Sequence, residues 1–293
     1  IQYTVAGAAE EASCEVLGKV YADPNQGARV YRTMRMLWDD VFAGASTLSV
    51  PQPLGYIPRL AMLVYLPARG HFLDARLAGD QALDVMRCVG QWLALVHRRS
   101  LSLDKRFDLA TELVNLASWA ALAGATHPDD AESAFEIVQQ LQTDAHDLPF
   151  EMHVPIHKDF HYGHVVVNDQ GRLAVIDFDE MRLGDPNFDL AHFCANLYLL
   201  AYRTSMSPSR FLALQRSFLD SYAHHTGWMF TERFSYFYAY TCLKIAKQLC
   251  TMRGPRPWPE DEEQQRQVHL ILQQGLAVLR YDLAAVVVPT FER

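Results

Sequence analysis

The stretch that decides the reading is "HKDFHYGHVVVN", His157 to Asn168, followed closely by "AVIDFDEMRLGDPNFDLAHF", Ala174 to Phe193. The first piece sets three of the chain's 12 histidines around one aspartate and runs into an apolar, β-branched triplet. Such residues favour strands, and "NDQG" from Asn168 is a turn signal, so "HVVVN" and "RLAVIDF" are expected to pair as a tight hairpin. The hairpin would bring together Asp159, just before the first strand, and Asp177, which ends the second 18 residues later. Two carboxylates at the open ends of paired strands suit a site where one orients a nucleophile and the other holds a divalent cation. Either aspartate alone reads more simply as a cap on a strand or turn; their joint placement carries the functional reading.

Working outward, "IQYTV" and "CEVLGKVYAD" read as strands separated by the turn "AGAAEEAS". "GARVYRTMRMLWDDVFAG", Gly27 to Gly44, places Val30, Met34, Leu37 and Val41 at helical spacing. "VPQPLGYIP" reads as proline punctuation before the apolar strand "LAMLVYLP". After "ARGHF" the pattern changes: Val85, Val89, Trp92, Leu93 and Val96 mark an amphipathic helix ending near "HRRS". Further helices are expected near 107–124, 130–146, 187–203, 208–225, 230–252 and 262–281. The outline is α+β: a strand-rich part over 1–68, a hinge near 64–70, and a helical part over 69–293 that the hairpin interrupts.

A chain of 293 residues that is 50% apolar can bury a sizeable core, as one large domain or two lobes. The formal charge of -8 argues against a general nucleic-acid binder. Five cysteines without a C-x-x-C pair suggest neither a disulfide framework nor a thiolate zinc site, so a cytoplasmic setting is expected. No apolar run approaches the roughly 20 residues that cross a bilayer, so neither nucleic acid nor membrane is expected among the partners. The chain begins at Ile1 rather than Met, leaving room for sequence upstream.

Taken together, these motifs resemble the aminoglycoside phosphotransferase and choline kinase-like family, which shares the protein-kinase fold. His157 and Asp159 match the start of the H-R-D-x-x-x-x-N loop, and Asp177-Phe178-Asp179 matches D-F-G. "GDPNFDLA", Gly184 to Ala191, is similar to the run that enters the next helix, and "VLGKVY", "VPQPLGY" and "LALVH" follow in the family's order. The resemblance thus covers nearly the whole chain. It implies a two-lobed kinase-like fold with a nucleotide-binding N-lobe and a helical C-lobe. It also implies ATP or another nucleoside triphosphate, Mg2+ or Mn2+, and a small-molecule hydroxyl acceptor. On this resemblance Asp159 accepts or orients the hydroxyl proton, and Asp177, with His164 at the second metal position, holds the cation. Lys19 pairs with the phosphates, Tyr65 and Leu66 border the nucleotide, His157 braces the loop and Asp189 anchors it. Helices from 208 onward would form the acceptor pocket, where Phe230, Phe234, Phe237 and Tyr240 are either stacking surfaces or core. The acidic "PEDEEQQ" from Pro259 attracts a cationic substrate or simply starts a helix.

The sequence departs from that pattern in places. His164 stands where an asparagine is expected, five residues after Asp159, and imidazole suits softer ions than Mg2+. Strand alternation puts Leu17, Lys19 and Tyr21 on one face, directed into a cleft or along a sheet edge; the resemblance favours the cleft. The helix after Lys19 offers no glutamate to hold it between Gly27 and Leu37, and Arg29, Arg32 and Arg35 read as a solvated basic face. "TVAGAAEEAS" is not a glycine-rich phosphate loop, so that loop is looser here or precedes Ile1. Two rival readings follow. One is a catalytically impaired pseudokinase serving as a nucleotide-binding or scaffolding module. The other is a zinc-dependent hydrolase using His157, His161 and His164, whose spacing suits zinc on a helix. Otherwise His161 and His153 belong to the loop and its rim.

Overall fold

The computed structural model describes residues 2–6, 13–44, 47–145, 153–228, 232–251 and 261–281. Phe230, Pro259 and most of the "AGAAEEAS" turn lie outside them. The chain forms two compact units. The first comprises Ile1–Arg106, Val154–Leu183 and Ser217–Gly227, and the second Phe107–His153, Gly184–Arg216 and Trp228–Arg293.

The chain opens with β1 (Gln2–Ala6), β2 (Ser13–Val20), α1 (Pro24–Met36), β3 (Leu48–Ser49), β4 (Pro53–Ile57), β5 (Met62–Tyr65), β6 (His71–Phe72) and α2 (Ala82–His97). After α3 (Leu109–Thr126) and α4 (Ala131–Asp144) come β7 (Val154–Ile156), β8 (Val165–Val167), β9 (Leu173–Val175) and β10 (Arg182–Gly184). Four helices follow: α5 (Pro186–Arg203), α6 (Pro208–Thr226), α7 (Glu232–Thr251) and α8 (Asp261–Tyr281). No helix among the described residues is long and apolar enough to cross a membrane.

One sheet has the order β1-β2-β5-β4 and is antiparallel throughout. β4 corrects the reading of "VPQPLGYIP" as punctuation. It is an edge strand whose register shifts between Pro53 and Gly55, and an edge tolerates a proline because one side of the strand needs no ladder donor. The second sheet, β3-β9-β8-β6, contains the expected hairpin, with Val165 opposite Val175 and Val167 opposite Leu173. Asn168 makes its turn by accepting at Oδ1 from the N–H groups of Gln170 and Arg172, each at 2.9 Å. β9 ends at Val175, so Asp177 lies beyond the strand rather than on it.

α1 also differs from expectation, starting at Pro24 instead of Gly27. Asp23 caps it by accepting from the Asn25 N–H at 2.9 Å, with proline in the first turn where no N–H is missed. Asp185, Pro186 and Asn187 repeat the device at α5, with the cap bond at 2.8 Å. Val30, Met34, Leu37 and Val41 are buried as their spacing required. A π-helical turn, Leu37–Val41, ends the segment and delivers Phe42 to the core.

That core centres on Trp92 of α2, which is 0% exposed. Its ring stacks on Phe42 at 5.3 Å, Phe160 at 5.6 Å and Phe178 at 6.5 Å, and its Nε1–H donates to the Ser49 carbonyl at 2.9 Å. Beside it, α2 meets the C-terminal half of α6 at Gly90, where a Cβ would overlap the Phe218 carbonyl oxygen. In the second unit α5 is buried on nearly all sides; Phe188 meets Phe237 at 5.3 Å and Tyr240 at 5.6 Å, and Tyr240 donates to the buried Glu112 carboxylate. Phe234, Phe237 and Tyr240 are 1%, 0% and 1% exposed, so these aromatics are core.

Two substitutions test this packing by denaturant unfolding. Trp92→Ala should cost about 3 to 5 kcal/mol, since it opens a cavity under both hairpin phenylalanines. Gly90→Ala, a single added methyl, should cost about 1 to 3 kcal/mol because the opposing atoms are backbone and cannot swing aside.

Candidate active site

The loop between β7 and β8 is tied to the residue preceding Asp177. His157, buried at 1% exposure, donates from Nε2 to the Ile176 carbonyl at 3.0 Å. The Ile176 N–H donates in turn to the His164 carbonyl at 2.9 Å. With both its main-chain groups engaged, Ile176 fixes where Asp177 begins. Lys158 and Asp177 have φ of 66° and 67°, left-handed backbone that costs a non-glycine residue about 1 to 3 kcal/mol and persists where surrounding structure imposes it. Here the neighbouring phenylalanines, Phe160 and Phe178, are the ones locked against Trp92.

His164 spans the two aspartates. Its Nδ1 lies 2.8 Å from the Asp159 main-chain oxygen. A carbonyl only accepts, so Nδ1 carries a proton and Nε2 is the ring nitrogen turned toward Asp177. Nδ1 is 3.7 Å from Asp159 Oδ2, and Nε2 is 3.7 Å from Asp177 Oδ2. Asp159 and Asp177 thus meet across one imidazole.

His161 stands nearer than a rim residue would, with Nε2 3.8 Å from Asp159 Oδ2. Asp159, His161 and His164 are the metal-capable group among the described residues, with one donor atom of each within 4.8 Å of the others. His161 Nδ1, however, accepts from the Gly163 N–H at 3.1 Å, which leaves the ring proton on the nitrogen facing Asp159. The three-histidine zinc site is not assembled: His157 spends Nε2 on Ile176, and residues 157–161 are not helical. His153 is exposed.

Lys19 resolves to the cavity side of β2. Leu17, Lys19 and Tyr21 all line a cavity of about 410 Å³, together with Tyr65, Asp177 and Asp179. Leu66 lines a neighbouring cavity of about 240 Å³, and its N–H donates to the Gln52 carbonyl at 2.9 Å. Lys19 Nζ sits 3.0 Å from Asp177 Oδ1 and 2.9 Å from Asp179 Oδ2. Tyr21 Oη donates to Asp179 Oδ1 at 2.9 Å. The glutamate missing from α1 therefore has a functional counterpart in Asp179, the third residue of the D-F-D run. The signal was a carboxylate where D-F-G has glycine. α1 gives the cavity Val30 and Met34 instead. Two arginines of its basic stripe form exposed ion pairs, Arg32 with Asp104 at 2.8 Å and Arg35 with Asp39 at 2.7 Å. Asp189 is fully buried on α5 in the second unit.

Burial alone would lower the Lys19 pKa, but hydrogen bonds and charge from Asp179 and Asp177 hold the ammonium above its ordinary range. Burial would raise Asp177, yet the hydrogen bond and charge of Lys19 hold its carboxyl below the usual range. Burial and the charge of Asp179 push the Tyr21 phenol up, keeping it a donor. Two carboxylates, from Asp177 and Asp179, thus face one ammonium, and a third, Asp159, lies across His164 from Asp177. A polyanion entering this cavity needs added positive charge, which divalent cations supply.

With that arrangement in place, comparison with known proteins is informative. Residues 22–229 match the model of the phosphotransferase enzyme family. The chain belongs to the phosphotransferase enzyme family. Among solved structures, choline kinase from Streptococcus pneumoniae is similar with a TM-score of 0.58 at 14% identity, covering 93% of each chain. Spectinomycin phosphotransferase in complex with ADP and spectinomycin gives 0.58 at 12% identity, covering 94% of this chain and 92% of that one. Amicoumacin kinase in complex with AMP-PNP and Ca2+ gives 0.60 at 12% identity, covering 96% and 90%. At these identities the likeness is one of fold: α+β and kinase-like, with a strand-rich start and a mostly helical remainder. A comparison with curated proteins finds no match.

Two measurements probe the charge cluster of this phosphotransferase family member. Asp179→Asn should lower the Lys19 pKa, read by NMR of lysine labelled at Cε, because a supporting charge goes while the burial stays. In wild type, the stability from Asp177 should be present above the ordinary carboxylate pKa of about 3.9 and fade only as pH falls through its lower folded value. That from Lys19 should be present below about 10.4 and fade as pH rises through its higher folded value. Urea midpoints across pH should therefore show the pair intact throughout the neutral range.

Proposed function

We propose that the chain transfers the terminal phosphoryl group of ATP, or of another nucleoside triphosphate, to a hydroxyl group of a small molecule. The observation that carries this reading is the unbroken run of polar contacts from Lys19 through Asp177 and His164 to Asp159. Family membership supports phosphotransfer in general; the complexes of spectinomycin phosphotransferase with ADP and of amicoumacin kinase with AMP-PNP support a nucleotide donor.

Residues 1–68 supply most of the nucleotide site in this reading, and 69–293 the catalytic hairpin and the acceptor region. Apolar side chains lining the cavity, among them Leu17 and Leu63, suit a planar base. Lys19 places a point charge against phosphate oxygens, with Tyr65 on the cavity wall and Leu66 on the neighbouring cavity. Asp177 and His164 suit a divalent cation, Mg2+ or Mn2+, since Asp177 Oδ2 and His164 Nε2 face each other at 3.7 Å. Such an ion, when bound, neutralises charge on the phosphates. Asp159 orients the acceptor hydroxyl and takes its proton. His157 and Asp189 are structural supports, both almost fully buried. Catalysis is then mainly positioning and charge neutralisation, because phosphoryl transfer asks little covalent chemistry of the protein. The four described free thiols, Cys88, Cys194, Cys242 and Cys250, suit a cytoplasmic setting.

The test is a screen of the purified chain with ATP and Mg2+ or Mn2+ against small alcohols, sugars and amino alcohols, read as acceptor-dependent ADP release. Asp159→Asn should lower kcat by about 10²- to 10⁴-fold with little change in nucleotide affinity. Lys19→Met should chiefly raise the KM for nucleotide. Nucleotide binding without turnover on any acceptor would support the nucleotide-binding module instead, and full turnover by Asp159→Asn would remove that residue from its role.

A further inference from the structure

We infer that His164 ligates the cation through Nε2, and that this nitrogen makes the site select a first-row transition ion such as Mn2+ over Mg2+. The inference rests on the proposed phosphotransferase site and deepens it. Four observations carry it. The Asp159 main-chain oxygen holds the Nδ1 proton at 2.8 Å, which fixes both the tautomer and the ring's direction; a ring flip would forfeit that bond. Nε2 is thereby the nitrogen left to bind an ion, and it lies 3.7 Å from Asp177 Oδ2. Zinc, a first-row ion, binds imidazole nitrogen and carboxylate oxygen at about 2.0 to 2.2 Å, so two donors at this separation lie within the span of one ion. The other Asp177 oxygen is already engaged by Lys19 at 3.0 Å, which leaves Oδ2 as the oxygen on the imidazole side.

The ring is also held. Its centroid is 4.1 Å from that of His161 and 5.9 Å from that of His157, and the His164 carbonyl is pinned by the Ile176 N–H at 2.9 Å. A ligand immobilised before binding loses little freedom when the ion arrives. The chemistry then sets the choice of ion. Mg2+ is hard, favours oxygen and retains its waters, whereas imidazole strengthens binding of borderline ions. The facing charges are Asp177, Asp159 and Lys19, with Asp179 behind the lysine and His161 beside the ring. Two of the three carboxylates thus lie within reach of the same imidazole.

Pulsed EPR of the full chain with ADP and substoichiometric MnCl2 tests this directly, without turnover. The wild type should show 14N modulation from a directly bound imidazole, and labelling its histidines with 15N should convert that signal, which needs no variant. His164→Asn should lose the nitrogen signal, keep bound Mn2+ through oxygen, and show a smaller preference for Mn2+ over Mg2+ in competition titrations. His161→Gln should keep the signal. Manganese held by oxygen alone in the wild type overturns the inference and leaves the proposed function standing. A nitrogen signal that survives His164→Asn but vanishes in His161→Gln overturns it too. Absence of bound manganese with and without ADP overturns both the inference and the proposed function.

Discussion

The stack of Phe160 and Phe178 on Trp92 is the constraint on which the rest of the site depends. Each phenylalanine directly follows a carboxylate, Asp159 or Asp177, so anchoring the rings in one column fixes where both carboxylates emerge. Close-packed aromatic layers transmit position because they have little free volume to yield. The column also reaches the strand-rich segment through Phe42 and the Ser49 carbonyl, so β3, α2 and the hairpin share one reference point. Left-handed backbone at Lys158 and Asp177 is sustained by this same packing and by the double grip on Ile176.

Electrostatics follow from that placement. Burial beside the cavity works against the Lys19 charge, and the D-F-D run offers two carboxylates that outweigh it. The segment just beyond the hairpin thus also holds Lys19, while α1 turns Val30 and Met34 toward the cavity and leaves Arg32 and Arg35 exposed. Tyr21 completes the arrangement from the strand that bears the lysine, bracing Asp179 with a phenol kept protonated by burial. In the second unit two buried charged groups are likewise matched: Arg233 with the Asp185 cap of α5, and Glu112 with Tyr240. An unmatched charge at those depths would cost several kcal/mol, so the pairs preserve a unique packing around α5.

Much of this was legible in the chain itself. Period-3.6 burial at Val30, Met34, Leu37 and Val41, and period-2 exposure of Leu17, Lys19 and Tyr21 to one cavity, are local properties of helix and strand geometry. The hairpin turn at Asn168 and the long helices were likewise visible, because turn chemistry and amphipathic spacing act over a few residues. The start of α1 was misplaced although Asp23-Pro24-Asn25 spelled out a cap that Asp185-Pro186-Asn187 repeats. β4 was missed because its prolines are permitted only by an edge position, which no local pattern announces.

The sequence by itself determined the fold family, the hairpin and the pair of aspartates, since each follows from short-range pattern and spacing. Only the tertiary structure decided that Asp179 is the lysine's second partner, that His157 spends Nε2 on the Ile176 carbonyl, and that His164 lies between the two carboxylates with Nδ1 held by the Asp159 carbonyl. Those outcomes depend on distances between residues far apart in the chain and on which nitrogen of a ring meets a carbonyl. Such facts arise from packing and hydrogen-bond direction, and residue order does not encode them locally.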